Sequence, residues 1–141
     1  MTADHKKLAR LNRLEKLRAI AKQTAATEAA QAESTLTQLR SLSDRTRRLA
    51  GDYSARRDAG DGAALLQVGR FVSGLQSLSR TTDGDALRAR SIADAKQQAL
   101  AEAERRRAAI EDRATAQARQ IATKAQQPAL GAKRASGTDL E

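Results

Sequence analysis

Bulky side chains are scarce in this chain. Of its 141 residues one is Tyr and one is Phe (Tyr53 and Phe71), and Trp and Cys are absent. Yet 40% of the residues are hydrophobic, mostly Ala and Leu spaced three and four apart among Arg, Lys, Gln and Glu. So little side-chain volume cannot fill the middle of a compact globule, but it does fill a narrow seam between two long helices. Without cysteine there are no disulfides and no thiolate metal sites. With His5 as the only histidine, a site needing three or four protein ligands is not expected, so the chain is read as carrying no metal and no cofactor. No stretch approaches the ~20 apolar residues of a membrane span. The opening segment MTADHKKLARLNRL lacks the apolar core of a secretory signal, and a soluble, unexported protein is expected.

Catalytic signatures are missing as well. No Gly-rich loop leads into Lys-Ser/Thr, and no base is placed to activate a Ser nucleophile. The expectation is a non-enzyme with no small-molecule substrate. Net charge is +9 and mean hydropathy −0.64, values that also suit a disordered chain. The sustained apolar spacing and the single proline, Pro128, argue instead for long helices.

Helical spacing starts near Asp4, read as an N-cap, and continues through Leu8, Leu11, Leu14 and Leu17. From Ala25 the seam reads Ala25, Ala29, Ala32, Leu36, Leu39, Ser43, Thr46, Ala50 and Tyr53, in alternating steps of four and three. Between Leu17, Ala21 and Ala25 both steps are four, a stutter that relaxes a supercoil. The segment RRDAGDGA, 56–63, has turn composition. The pattern resumes with Leu65, Val68, Val72 and Leu75, flanked by Phe71 and Leu78. TTDGD, 81–85, is a second, weaker interruption: a kink, a cap for a new helix, or a continuous helix under local strain. The last stripe runs through Ala89, Ala93, Leu100, Ala103, Ile110, Ala114 and Ile121, interrupted by Lys96, Arg107 and Gln117. Leu100, Ile110 and Ile121 are ten and eleven apart, a spacing that winds less left-handed than a strict heptad.

The expected fold is all-α: a long antiparallel two-helix coiled-coil hairpin, with a helix over 4–57, a turn at 58–62 and a helix over 63–127. Residues 128–141 are expected to be a disordered tail, because Pro128 and Gly131 follow the last stripe. Folding back at Gly60 would set Leu39 opposite Thr81 and Ala25 opposite Ala95, since a short connection favours antiparallel neighbours.

Charge is uneven. Residues 1–30 and 86–127 each carry +4, residues 31–62 carry +1, and residues 63–85 and 128–141 are neutral. The fold-back would bring the two basic ends together and leave a neutral apolar stretch with Tyr53 and Phe71 beside the turn. The basic clusters KKLARLNR (6–13), RTRR (45–48) and RRR (105–107) read as a solvated face or as a contact for an anionic partner. An acidic protein surface suits them better than nucleic acid, because bases would find almost no aromatic surface to stack on. Tyr53, Phe71, Leu75 and Leu78 read either as seam or as an exposed apolar contact patch.

LARLNRLEKLR (8–18) opens a long helix, a turn follows near the midpoint, then LLQVGRFVSGL (65–75) and AEAERRRAAI (101–110). This layout, over about residues 5–127, resembles the FliJ family of flagellar type III export, whose relatives include injectisome stalk proteins. The resemblance implies an antiparallel coiled coil similar to a rotary-ATPase stalk. It also implies partners: the hexameric export ATPase, the cytoplasmic domain of the export gate, and export chaperones. On that basis Arg10, Arg13, Arg18, Arg106 and Arg113 would face the ATPase ring, and Tyr53, Phe71, Leu75 and Leu78 would face the gate. The location implied is cytoplasmic, at the inner-membrane export apparatus and bound there only through partners. The runner-up readings are a basic helical nucleic-acid-binding protein and a generic coiled-coil scaffold.

Overall fold

A run of Ala, Leu, Arg, Glu, Lys and Gln broken once by Gly-Asp-Gly is expected to give two helices, and two helices are what form. The computed structural model describes residues 2–56 and 60–138, with side chains through 127. Helix α1 spans Ala3–Ala55 and α2 spans Gly62–Thr138. Together they make an all-α helical hairpin. No helix among the described residues is long and apolar enough to cross a membrane.

The turn owes its position to Asp61. Its Oδ1 accepts from the Ala64 backbone N–H at 2.7 Å and its carbonyl from Leu65 N–H at 3.1 Å, which caps α2. α1 closes with a tightened last turn, Arg56 N–H donating to the Tyr53 carbonyl at 3.2 Å. Arg57, Asp58 and Ala59, part of the expected helix end and turn, lie outside the described residues.

Two local readings change, and at 81–85 one of the three alternatives, a continuous helix, is what forms. α1 begins ahead of Asp4, which lies in its first turn and is not the cap; the Lys6 N–H reaches the Thr2 carbonyl at 3.2 Å. α2 passes through 81–85 without interruption. There the turn-forming groups all find helical or cross-helix partners. Thr81 and Thr82 hydroxyls donate back to the carbonyls of Ser77 and Leu78, at 3.1 and 2.8 Å. Asp83 is held by Ser43 and Arg47 of α1, Asp85 pairs with Arg88, and Gly84 has no positive φ. α2 also continues past Gln127 to Thr138, so the backbone at 128–138 is helical where a tail was expected. Pro128 removes one backbone donor without ending the helix; residues 139–141 lie outside the described residues.

The hairpin divides into two compact units. In the unit of residues 26–99, Leu36, Ala89 and Ala93 form the buried cluster, with Ala32, Leu39 and Ala86 packed on it. Leu39 thus meets the Ala86 end of α2, about a turn beyond the Thr81 that a fold-back at Gly60 implied. The seam also buries Ser43, Thr46, Ser79 and Thr82, hydroxyl-bearing side chains where a coiled coil usually places leucines. Two of them, Thr46 and Thr82, satisfy themselves on carbonyls one turn back, at 2.7 and 2.8 Å.

In the unit of residues 1–25 and 100–141, Ile110 and Gln117 are buried. Leu8, Leu11, Ala25, Leu100 and Ile121 are half-buried at seam positions, and Leu14, expected in the seam, is half-buried just before the seam residue Glu15. Leu17 does not join them. It is 63% exposed, and the seam instead takes Glu15, Arg18 and Lys22. The reason is register: this choice continues the alternating steps of four and three through α1 with no stutter. The same holds in α2. Lys96, Arg107 and Gln117, read as interruptions, occupy regular seam positions, so the spacing stays heptad where an eleven-residue drift was expected.

Candidate contact surfaces

A heptad pair has two flanks beside its seam, and here they differ in chemistry. In the unit of residues 26–99 one seam row of α1 is Ala29, Leu36, Ser43 and Ala50, and one of α2 is Val72, Ser79, Ala86 and Ala93. The residues just before these rows are Leu42 and Leu49 on α1 and Phe71, Leu78 and Ile92 on α2. Running one helix against the other puts equivalent flanks on the same side, so these residues line one side of the hairpin. Leu42, Leu49, Phe71 and Leu78 remain 39–47% exposed. The opposite flank is polar, a groove lined by Arg47, Ser54, Gln76 and Asp83. Arg47 Nη2 donates to Asp83 Oδ2 across it at 3.0 Å, and Ser43 donates to the other carboxylate oxygen of Asp83.

Near the turn the two aromatic rings meet edge to face, centroids 4.9 Å apart at 71°. The Arg56 guanidinium lies 4.3 Å from the Tyr53 ring centre. The four residues expected to form a patch therefore split: Tyr53 and Leu75 are half-buried at seam positions, whereas Phe71 and Leu78 are exposed. Leu42, Leu49 and Ile92 were missed. The usable signal was their heptad position, an apolar residue immediately before a seam residue. A second exposed apolar area, Leu65 and Leu66 between Gly62 and Gly69, lies at the start of α2; Leu65, expected in the apolar stripe, keeps its register but is exposed beside the turn.

The five arginines expected at an ATPase ring all lie in the unit of residues 1–25 and 100–141, in different surroundings. Arg10 and Arg13 are exposed on α1. Arg18 is half-buried at a seam position, its Nε buried without a hydrogen-bond partner. Arg106 is paired with Glu102 on its own helix, and Arg113 is exposed. Three ion pairs tie cationic seam positions to α1. Arg107 Nε meets Glu15 at 3.2 Å and Lys124 meets Asp4 at 2.8 Å in this unit, and Lys96 meets Glu28 at 3.1 Å in the other. The Lys124 hydrogen bond and charge hold the Asp4 carboxyl below its usual 3.8. The unit carries 15 Lys/Arg and 8 Asp/Glu, seven of the chain's nine excess positive charges.

No protein-family model matches the chain, and no characterised protein or solved structure is significantly similar to it.

Proposed function

We propose that this protein is a non-catalytic coiled-coil adaptor of flagellar type III export, linking the hexameric export ATPase to the cytoplasmic domain of the export gate and escorting export chaperones. The observation that carries this reading is the partition of contact chemistry on a helical hairpin. The unit containing both termini holds most of the positive charge, with Arg10, Arg13 and Arg113 exposed for an acidic protein surface. The unit containing the turn offers Phe71 and Leu78 for an apolar contact. The resemblance of the sequence layout to the FliJ family is what joins these two features to export. The place of action is then the cytoplasm, at the inner-membrane export apparatus through partners alone. Nucleic-acid binding is the weaker reading, because Arg106 and Arg107 of the uninterrupted Arg-Arg-Arg run already face Glu102 and Glu15.

The test is reconstitution with the export ATPase encoded by the same organism. The protein should co-elute with it and stimulate ATP hydrolysis, and Arg10→Glu/Arg13→Glu/Arg113→Glu should lose both effects. No association, together with tight, steeply salt-dependent shifting of DNA at ~150 mM salt, would replace this reading with the nucleic-acid one.

A further inference from the structure

The hairpin keeps its small side chains inside and several of its large ones outside. Among the described residues no large side chain is fully buried, and between the Leu36 cluster and the turn the seam passes through Ser43, Thr46, Ser79 and Thr82. Two helices joined by so thin a core gain little from each other, since burial of an apolar face supplies most helix stability in proteins. In the unit of residues 26–99 the apolar side chains that form a continuous row across both helices lie along one flank, with Leu42, Leu49, Phe71 and Leu78 at its centre, whereas Leu65, Leu66 and Leu87 are exposed on α2 alone.

We infer that this flank binds a second copy of the same chain, giving a four-helix bundle with twofold symmetry. Three observations favour that occupant. The first is size. From Phe71 to Ile92 the flank runs about 32 Å at 1.5 Å per residue, and two helices span about 20 Å across. That covers on the order of 600 Å² per copy, the low end of a standard stable interface. The second is charge. The acidic residues in the flanking rows are already neutralised within the chain, Asp85 by Arg88 and Glu28 by Lys96 at 3.1 Å. Two such flanks meet without like-charge repulsion, whereas a strongly charged partner finds no free counter-charge there. The third is self-complementarity. A twofold axis sets the Leu42/Leu49 row of one copy against the Phe71/Leu78 row of the other, and then the reverse, so one contact is made twice. The opposite flank, with Arg47 and Asp83 committed to each other, offers no comparable apolar surface. A partner that takes Phe71 and Leu78 has to displace the second copy.

Light scattering of the purified full chain at about 50 µM tests this, a concentration that populates a dimer of about micromolar affinity. Twice the 15.2 kDa chain mass is expected. Leu49→Lys/Leu78→Lys should halve that mass while helicity by circular dichroism persists, since both side chains are exposed within one hairpin. Leu87→Lys, at a position 71% exposed and off the flank, should leave the dimer intact. A single-chain or trimeric mass for the unaltered protein overturns the proposal, and so does a dimer that survives Leu49→Lys/Leu78→Lys. If that double variant fails to fold, Leu42→Ser in its place must weaken the dimer, and an unchanged dimer overturns the proposal. The experiment contains no export component, so its failure and that of the adaptor reading are distinguishable.

Discussion

Arg107 Nε donates to Glu15 Oε1 at 3.2 Å, and both residues occupy seam positions of the hairpin. Their side chains are about one-third and one-quarter exposed, so water screens the pair only in part. A charged pair in a seam stabilises little beyond what apolar residues would, but it penalises every register that separates its members. A double-mutant cycle of Glu15→Ala and Arg107→Ala in urea should give a coupling of about 0.5–1 kcal/mol, as for partly exposed pairs. Purely additive effects would mean that the pair does not set register.

Gly84 sits inside α2 with open space where a Cβ would be, and without a positive φ. Gly84→Ala should therefore raise stability by about 1 kcal/mol, read as a higher melting temperature. A turn or break at 81–85 would give the opposite sign, because alanine is strained where glycine has positive φ.

Asp83 receives bonds from both Ser43 and Arg47. Asp83→Ala leaves the buried Ser43 hydroxyl without this partner, and a loss of about 1–2 kcal/mol in denaturant unfolding is expected. Arg47→Ala, which removes only the exposed member, should cost under about 1 kcal/mol.

Leu36 and Leu17 separate the seam from its outer face. Leu36→Ala empties space in the Leu36–Ala89–Ala93 cluster and should cost about 2–3 kcal/mol. Leu17→Ala should stay within about 0.5 kcal/mol, since Leu17 is largely in water. Comparable costs would restore Leu17 to the seam.

The Asp4 carboxyl, lowered by Lys124, should titrate with a midpoint below 3.8 by NMR, and Lys124→Ala should return it toward that value. A group whose native pKa is depressed contributes stability that is present above its unfolded pKa and lost as pH falls through the native one. The Asp4–Lys124 contact is thus intact at neutral pH and fails only in acid below about 4.

The sequence by itself determined the two helices, the turn between them and the seam from Ala25 to Tyr53. Those features follow from local causes: helix-forming residues with almost no Pro, Gly-Asp-Gly at the midpoint, and small apolar residues at steps of three and four. The rest depended on partners from the other helix. Lys96, Arg107 and Gln117 look like interruptions until the opposite helix supplies Glu28, Glu15 and the Asp4 carbonyl. Thr81–Asp85 leaves kink, cap and continuous helix open until Ser43 and Arg47 are seen to hold Asp83 in helical register. The apolar flank is a tertiary property too, since Leu42 and Leu49 share a side with Phe71 and Leu78 only when the helices run antiparallel. Residue type sets what a position prefers locally. Which side of the seam it faces, and whether a polar group there is satisfied, is decided by the residue across from it.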